Sequence, residues 1–107
     1  MIGLETALPV ISTLMVHTNQ MTWADVARVM SITPAKVGKA LGQGEMIATG
    51  SRANLCFISP DTSWQVSRDS QVSSSNNTPF AGKELVGAIQ HTCYRGKLTV
   101  TNGQLQF

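Results

Sequence analysis

The stretch MTWADVARVMSITPAKVGKAL, Met21 to Leu41, constrains the fold more than any other part of the chain, because it holds two helix starts in close succession. Thr22 followed three residues later by Asp25 is a variant of the capping box, in which two side chains satisfy backbone N–H groups that a helix start leaves free. Trp23, Val26, Ala27 and Met30 then recur at i, i+3, i+4 and i+7, which places them on one face of a helix. Thr33 with Pro34 gives a second start, with proline at the first helical position. Val37, Ala40 and Leu41 supply a buried stripe for that helix, and Gly42 and Gly44 end it. The reading is two helices joined by a short turn at Ser31.

A further helix precedes them. Leu4, Leu8, Ile11 and Met15 share one face, Thr6 is placed to cap, and Pro9 falls in the first turn, which predicts a helix from about Ala7 to Thr18. After Gly44 the period shortens. Glu45 to Ser59 has a Gly-Ser-Arg-Ala turn between two apolar runs and reads as a hairpin. Trp64 and Val66 suit a strand, and Ser67 to Thr78 is a polar loop rich in Ser and Asn. In Phe80 to Tyr94 the residues Leu85, Val86, Ile89 and Cys93 fall at helical spacing. Lys97 to Phe107 alternates around Asn102-Gly103, a strong hairpin signal, with Leu98, Val100, Leu105 and Phe107 on one face.

One domain suits a chain of 107 residues. Charged residues make up 13% of it, about half the usual share, and the net charge of +2 permits an anionic partner without requiring one. Cys56 and Cys93 have no CxxC spacing and read as buried thiols of a reducing cytoplasm. Ahead of Arg28 there is no positive residue to head a secretory signal, and the N-terminal apolar run is too short to span a bilayer. A cytoplasmic protein with no membrane contact follows.

Three helices followed by a hairpin resemble the winged helix-turn-helix family of DNA-binding domains over residues 4–59. The likeness is carried by Ala27 at a small position, by Val26, Met30, Ile32, Val37 and Ala40 at apolar ones, and by Thr33-Pro34 opening the second helix of the motif. Ser31 stands where the family often has glycine. The resemblance implies an α+β fold: a three-helix winged helix-turn-helix core with a β-hairpin wing, plus a C-terminal helix and β-hairpin. Its domains are 1–66 for the winged helix, 67–78 for the polar loop and 79–107 for the C-terminal part, which packs on the core or dimerises.

The function implied is sequence-specific binding of duplex DNA by a small transcriptional regulator of bacterial, plasmid or phage type. Lys36, Lys39 and Gln43 lie opposite the apolar stripe, where lysine meets phosphate or guanine and glutamine meets adenine. Thr33 and Ala35 stand at the start of that helix and Arg52 at the wing tip, flanked by Ser51 and Asn54. With Thr22, these nine are the DNA-contacting residues. Double-stranded DNA is the partner and a homodimer through residues 79–107 the assembly. The alternative is a winged-helix interaction module that binds a partner regulatory protein and no DNA. No cofactor is implied. His91 and Cys93 lack the second pair a tetrahedral metal site needs. No carboxylate pair, phosphate loop or nucleophile motif points to an enzyme.

Overall fold

The computed structural model describes residues 1–106; Phe107, read as part of the apolar face of the last hairpin, lies outside the described residues. Two helical runs come first. Helix α1 (Ala7–Ile11) continues as a π-helical stretch, Ser12–Val16. Helix α2 (Trp23–Ala27) continues through a π-helical stretch, Arg28–Ile32, into α3 (Thr33–Val37). Four strands follow, β1 (Leu55–Gln65), β2 (Glu84–Tyr94), β3 (Lys97–Thr101) and β4 (Gln104–Leu105), in one sheet of order β1-β2-β3-β4.

The helix-turn-helix is absent from this arrangement. Thr22 does cap α2, with its hydroxyl accepting from the Asp25 N–H at 3.2 Å while the Asp25 carboxylate accepts from the Thr22 N–H at 2.9 Å. No turn follows at Ser31. Ile32 and Thr33 have helical backbone angles (φ −63 and −66), so Thr33-Pro34 lies inside a continuous helical run. A proline there removes an N–H and crowds the carbonyl four residues back. The chain accommodates it by widening the preceding turn, where the Thr33 N–H reaches the carbonyl of Arg28, five residues back. The run ends earlier than its glycines suggest. Lys39 takes the left-handed conformation (φ 52), with the Lys39 N–H bonded to the Lys36 carbonyl at 3.2 Å and the Ala40 N–H to that of Ala35 at 2.9 Å. These two bonds form a Schellman motif with lysine in the place usually held by glycine.

The proposed wing and C-terminal helix are also corrected. Residues 45–54 carry no strand, and β1 begins only at Leu55. Pro60 falls within β1, which lies at the edge of the sheet, the kind of strand to which proline is confined. The segment read as a helix from Phe80 is strand β2 from Glu84 onwards. In it Leu85 and Gly87 are both buried, an alternation of period two, and Gly87 has φ 107, outside any helix. Strands β2 and β3 pair antiparallel from Tyr94↔Lys97, across Arg95-Gly96 with φ 51 and 82. Strands β3 and β4 pair across Asn102-Gly103 with φ 50 and 74. Two positive φ angles in a two-residue loop match the right-handed twist of the flanking strands.

The chain forms two compact units, Met1–Gln20 with Ser59–Ala88, and Met21–Ile58 with Ile89–Phe107. In the first, Thr6, Pro9, Ser12, Val66, Leu85 and Gly87 are buried. Thr13 donates its hydroxyl hydrogen to the Pro9 carbonyl at 2.7 Å and accepts the Val86 N–H at 2.8 Å, so the helical run sits directly on β2. In the second unit Val26 is the buried hydrophobic residue. Val37, Ala40 and Leu41, read as a core stripe, are exposed. Among the described residues no helix is long and apolar enough to cross a membrane.

Candidate functional site

Three of the nine residues singled out from the sequence come together. Ser51, Arg52 and Asn54 line a depression of about 150 Å³ between Gly42 and Leu55, with Glu45, Met46 and Ile47 on its walls. Asn54 holds its shape. The side-chain amide donates to the Gly42 carbonyl at 2.7 Å and accepts the Arg95 N–H at 2.8 Å, which ties the loop to the β2–β3 turn. The Gly96 N–H adds a bond to the Ala53 carbonyl at 2.9 Å. Gly44 (φ 63) lets the loop approach the second helical run closely: a Cβ there would stand 2.8 Å from both the Ala35 Cβ and the Ser31 carbonyl oxygen. Only glycine fits such a contact at positive φ.

The other six lie elsewhere. Thr22 spends its hydroxyl on the cap of α2, Thr33 is an exposed residue inside the helical run, and Ala35 is half-buried under Gly44. Lys36 is exposed in the last turn of α3, where a positive charge suits the helix C-terminus. Lys39 is the left-handed residue that closes the run and so does not continue the helical face of Lys36. Gln43 is exposed in the loop.

The titratable groups do not assemble a reaction centre among the described residues. No three of the His, Cys, Asp and Glu side chains gather to hold a metal ion there. His17 donates from Nε2 to the Pro60 carbonyl at 2.9 Å, a contact within the first unit. The His91 ring stands edge-on to Phe57, with centroids 6.0 Å apart. Both thiols are free; Cys56 is exposed and Cys93 half-buried, not the fully buried pair expected. Protein packed around the Cys56 sulfur pushes its thiol up from an ordinary 9.0, with a hydrogen bond to Thr92 pulling the other way. Asp25 is held below an ordinary 3.8, first by the Thr22 backbone N–H, then by the Thr22 hydroxyl and Arg28.

One close approach went unread in the sequence. A Cβ on Gly87 would lie 2.7 Å from the Ser12 Oγ, and the Gly87 carbonyl accepts the Trp64 Nε1–H at 2.9 Å. An isolated glycine inside the apolar run Leu85-Val86-Gly87-Ala88-Ile89 is the available signal, since glycine within a strand often marks a close approach.

No family model matches the chain. Individual proteins do. The chain is 45% identical over 105 residues to a dihydroorotase of Streptomyces coelicolor, an alignment covering 98% of this chain and 24% of that protein. It is 39% identical over 106 residues to a dihydroorotase of Mycobacterium tuberculosis, covering 99% and 25%. Among solved structures, the L-hydantoinase (dihydropyrimidinase) from Arthrobacter aurescens superposes with a TM-score of 0.87 at 29% identity, over 99% of this chain and 24% of that one. These likenesses overturn the winged-helix resemblance and, with it, the DNA partner, the regulator and the interaction-module alternative. They also overturn the expectation that no enzyme is involved, since the similar proteins carry enzyme names. The homodimer drawn through residues 79–107 loses its basis as well, because the helix meant to cover the last hairpin is strand β2. The chain spans about a quarter of the length of the proteins it matches.

Proposed function

We propose that this chain serves in a hydrolase of the dihydroorotase kind, as the part of it that corresponds to the matched quarter. The observation that carries the reading is 45% identity to the Streptomyces coelicolor dihydroorotase along 98% of the chain. Dihydroorotate and hydantoins are rings closed through an amide, and the reaction proposed is addition of water across a ring C–N bond. One oxygen joins the carbonyl carbon, and the nitrogen leaves with a proton. The hydroxyl–carboxylate pairs of the described residues, Ser63 with Glu84 at 2.7 Å and Thr22 with Asp25 at 2.9 Å, are exposed and serve a strand pairing and a helix cap. The role assigned to the chain is therefore to hold a scaffold: the Ser12–Gly87 contact in one unit, and the Asn54-pinned loop in the other. A scaffold of this sort sets reactivity by keeping other groups in place, because small displacements of positioned groups are costly in rate.

The test is genetic. A chimera in which this chain replaces the matched segment of the Streptomyces coelicolor dihydroorotase is placed in a bacterium lacking dihydroorotase. Growth without added pyrimidine is the expected result. Failure to grow, with the chimera present as soluble folded protein, counts against the reading.

A further inference from the structure

In the second unit several large apolar side chains lie outside. Val37 is 80% exposed, Leu41 96%, Met46 88% and Ile47 84%, while Val26 is the buried hydrophobic residue. Leu41 directly precedes the loop, and Met46 and Ile47 line its depression. Gly44, packed against Ala35, holds this loop against the end of the helical run that carries Val37. A loop pinned by a glycine contact and by Asn54 presents Met46 and Ile47 in fixed positions, beside the end of the helical run that carries Val37 and leads into Leu41. Single exposed apolar residues are ordinary, but a grouped and held set marks a contact surface.

We infer that Val37, Leu41, Met46 and Ile47 form a docking face for the portion of a dihydroorotase-type chain that lies outside the matched quarter. The inference rests on the function proposed above. The occupant follows from the comparisons: the fold recurs at a TM-score of 0.87 within a protein of which it covers only 24%. In such a protein a face of this kind has most of a larger chain available to cover it. The chemistry of the occupant is an apolar protein surface with a polar rim, since the face offers four aliphatic or thioether side chains while Glu45 and Arg52 line the same depression as Met46 and Ile47.

The chimera described above tests the face by its melting temperature. Leu41→Asp with Ile47→Asp is expected to lower it by on the order of 5–10 °C, because each change buries an unpaired charge. The control pair Gln104→Asp with Gln106→Asp, exposed and polar outside the depression, is expected to stay within about 2 °C. If the aspartate chimera is not recovered folded, Leu41→Ala with Ile47→Ala replaces it, with a smaller fall expected. An unchanged melting temperature overturns the inference and leaves the proposed function standing, since activity of the unsubstituted chimera tests that separately. A concentration-dependent dimer of the 107-residue chain, dissolved by Leu41→Asp with Ile47→Asp in sedimentation, also overturns it by seating a second copy on the face. An unsubstituted chimera that is folded yet inactive removes the proposed function, and this inference with it.

Discussion

Replacing Gly87 by Ala places a methyl group where the structure has no room and gives an L side chain a backbone angle it resists. At φ 107 the added strain is about 1–3 kcal/mol. The Cβ would stand 2.7 Å from the Ser12 Oγ and 3.0 Å from the Ser12 Cβ, an overlap that costs about 1–3 kcal/mol more. Together these come to about 2–6 kcal/mol, against the 5–15 kcal/mol that holds a typical domain folded. In urea, with a slope of about 2 kcal/mol/M, the midpoint moves down by about 1–3 M. Trp64 fluorescence reports on the contact, because its Nε1–H bonds to the Gly87 carbonyl; Trp23→Phe removes the second signal. Ser12→Gly separates the two contributions. It deletes both clashing atoms at the cost of a helical glycine, about 1 kcal/mol. Ser12→Gly is therefore destabilising alone but restorative beside Gly87→Ala, with a coupling energy of about 1–3 kcal/mol. A Gly87→Ala variant within about 0.5 kcal/mol of the parent, or no coupling to position 12, refutes the packing described.

Three further outcomes are expected. Lys39→Gly removes a left-handed lysine from the Schellman motif and should raise stability by about 0.5–1 kcal/mol, read from the urea midpoint; a loss would show that the lysine side chain has a stabilising partner. Asn54→Ala leaves the Gly42 carbonyl and the Arg95 N–H without their bonds and should cost about 1–3 kcal/mol, whereas the neighbouring Ser51→Ala should be close to neutral in the same titration. The Asp25 carboxyl is held below its ordinary 3.8, so its contribution is present above that value and lost as pH falls through the lowered one. The difference in melting temperature between the parent and Asp25→Asn should accordingly be constant from neutral pH to about pH 5 and shrink below 3.8; a difference that grows in acid would reverse the assignment.

Signals confined to a few residues were legible. The Thr22–Asp25 cap and the Asn102-Gly103 turn depend on backbone groups within reach of their own side chains or φ angles, and the structure has both. Thr33-Pro34 looks identical at a helix start and in a helix interior, because the widened turn that accepts the proline leaves no mark on the sequence. Leu85 to Ile89 is a continuous apolar run, which helix and strand share, and only the conformation of Gly87 separates them. Periodicity identified Val37 and Leu41 as one apolar stripe without saying what covers it, and reading the stripe as core produced a third helix and a DNA-facing side. Lys39 was misplaced for a related reason, since nothing about a lysine announces a left-handed backbone. Ser51, Arg52 and Asn54 were brought together by their place in one loop, but the pinning role of Asn54 depends on Arg95, forty-one residues away.

If these residues stand in for a quarter of a dihydroorotase, as proposed, the purified chimera hydrolyses dihydroorotate in steady state. At 45% identity to the segment it replaces, the chain should give kcat/KM within about tenfold of the Streptomyces coelicolor parent, a loss of about 1.4 kcal/mol in transition-state stabilisation. A folded chimera with kcat/KM reduced by more than about a thousandfold would show that the chain cannot take the place of that segment.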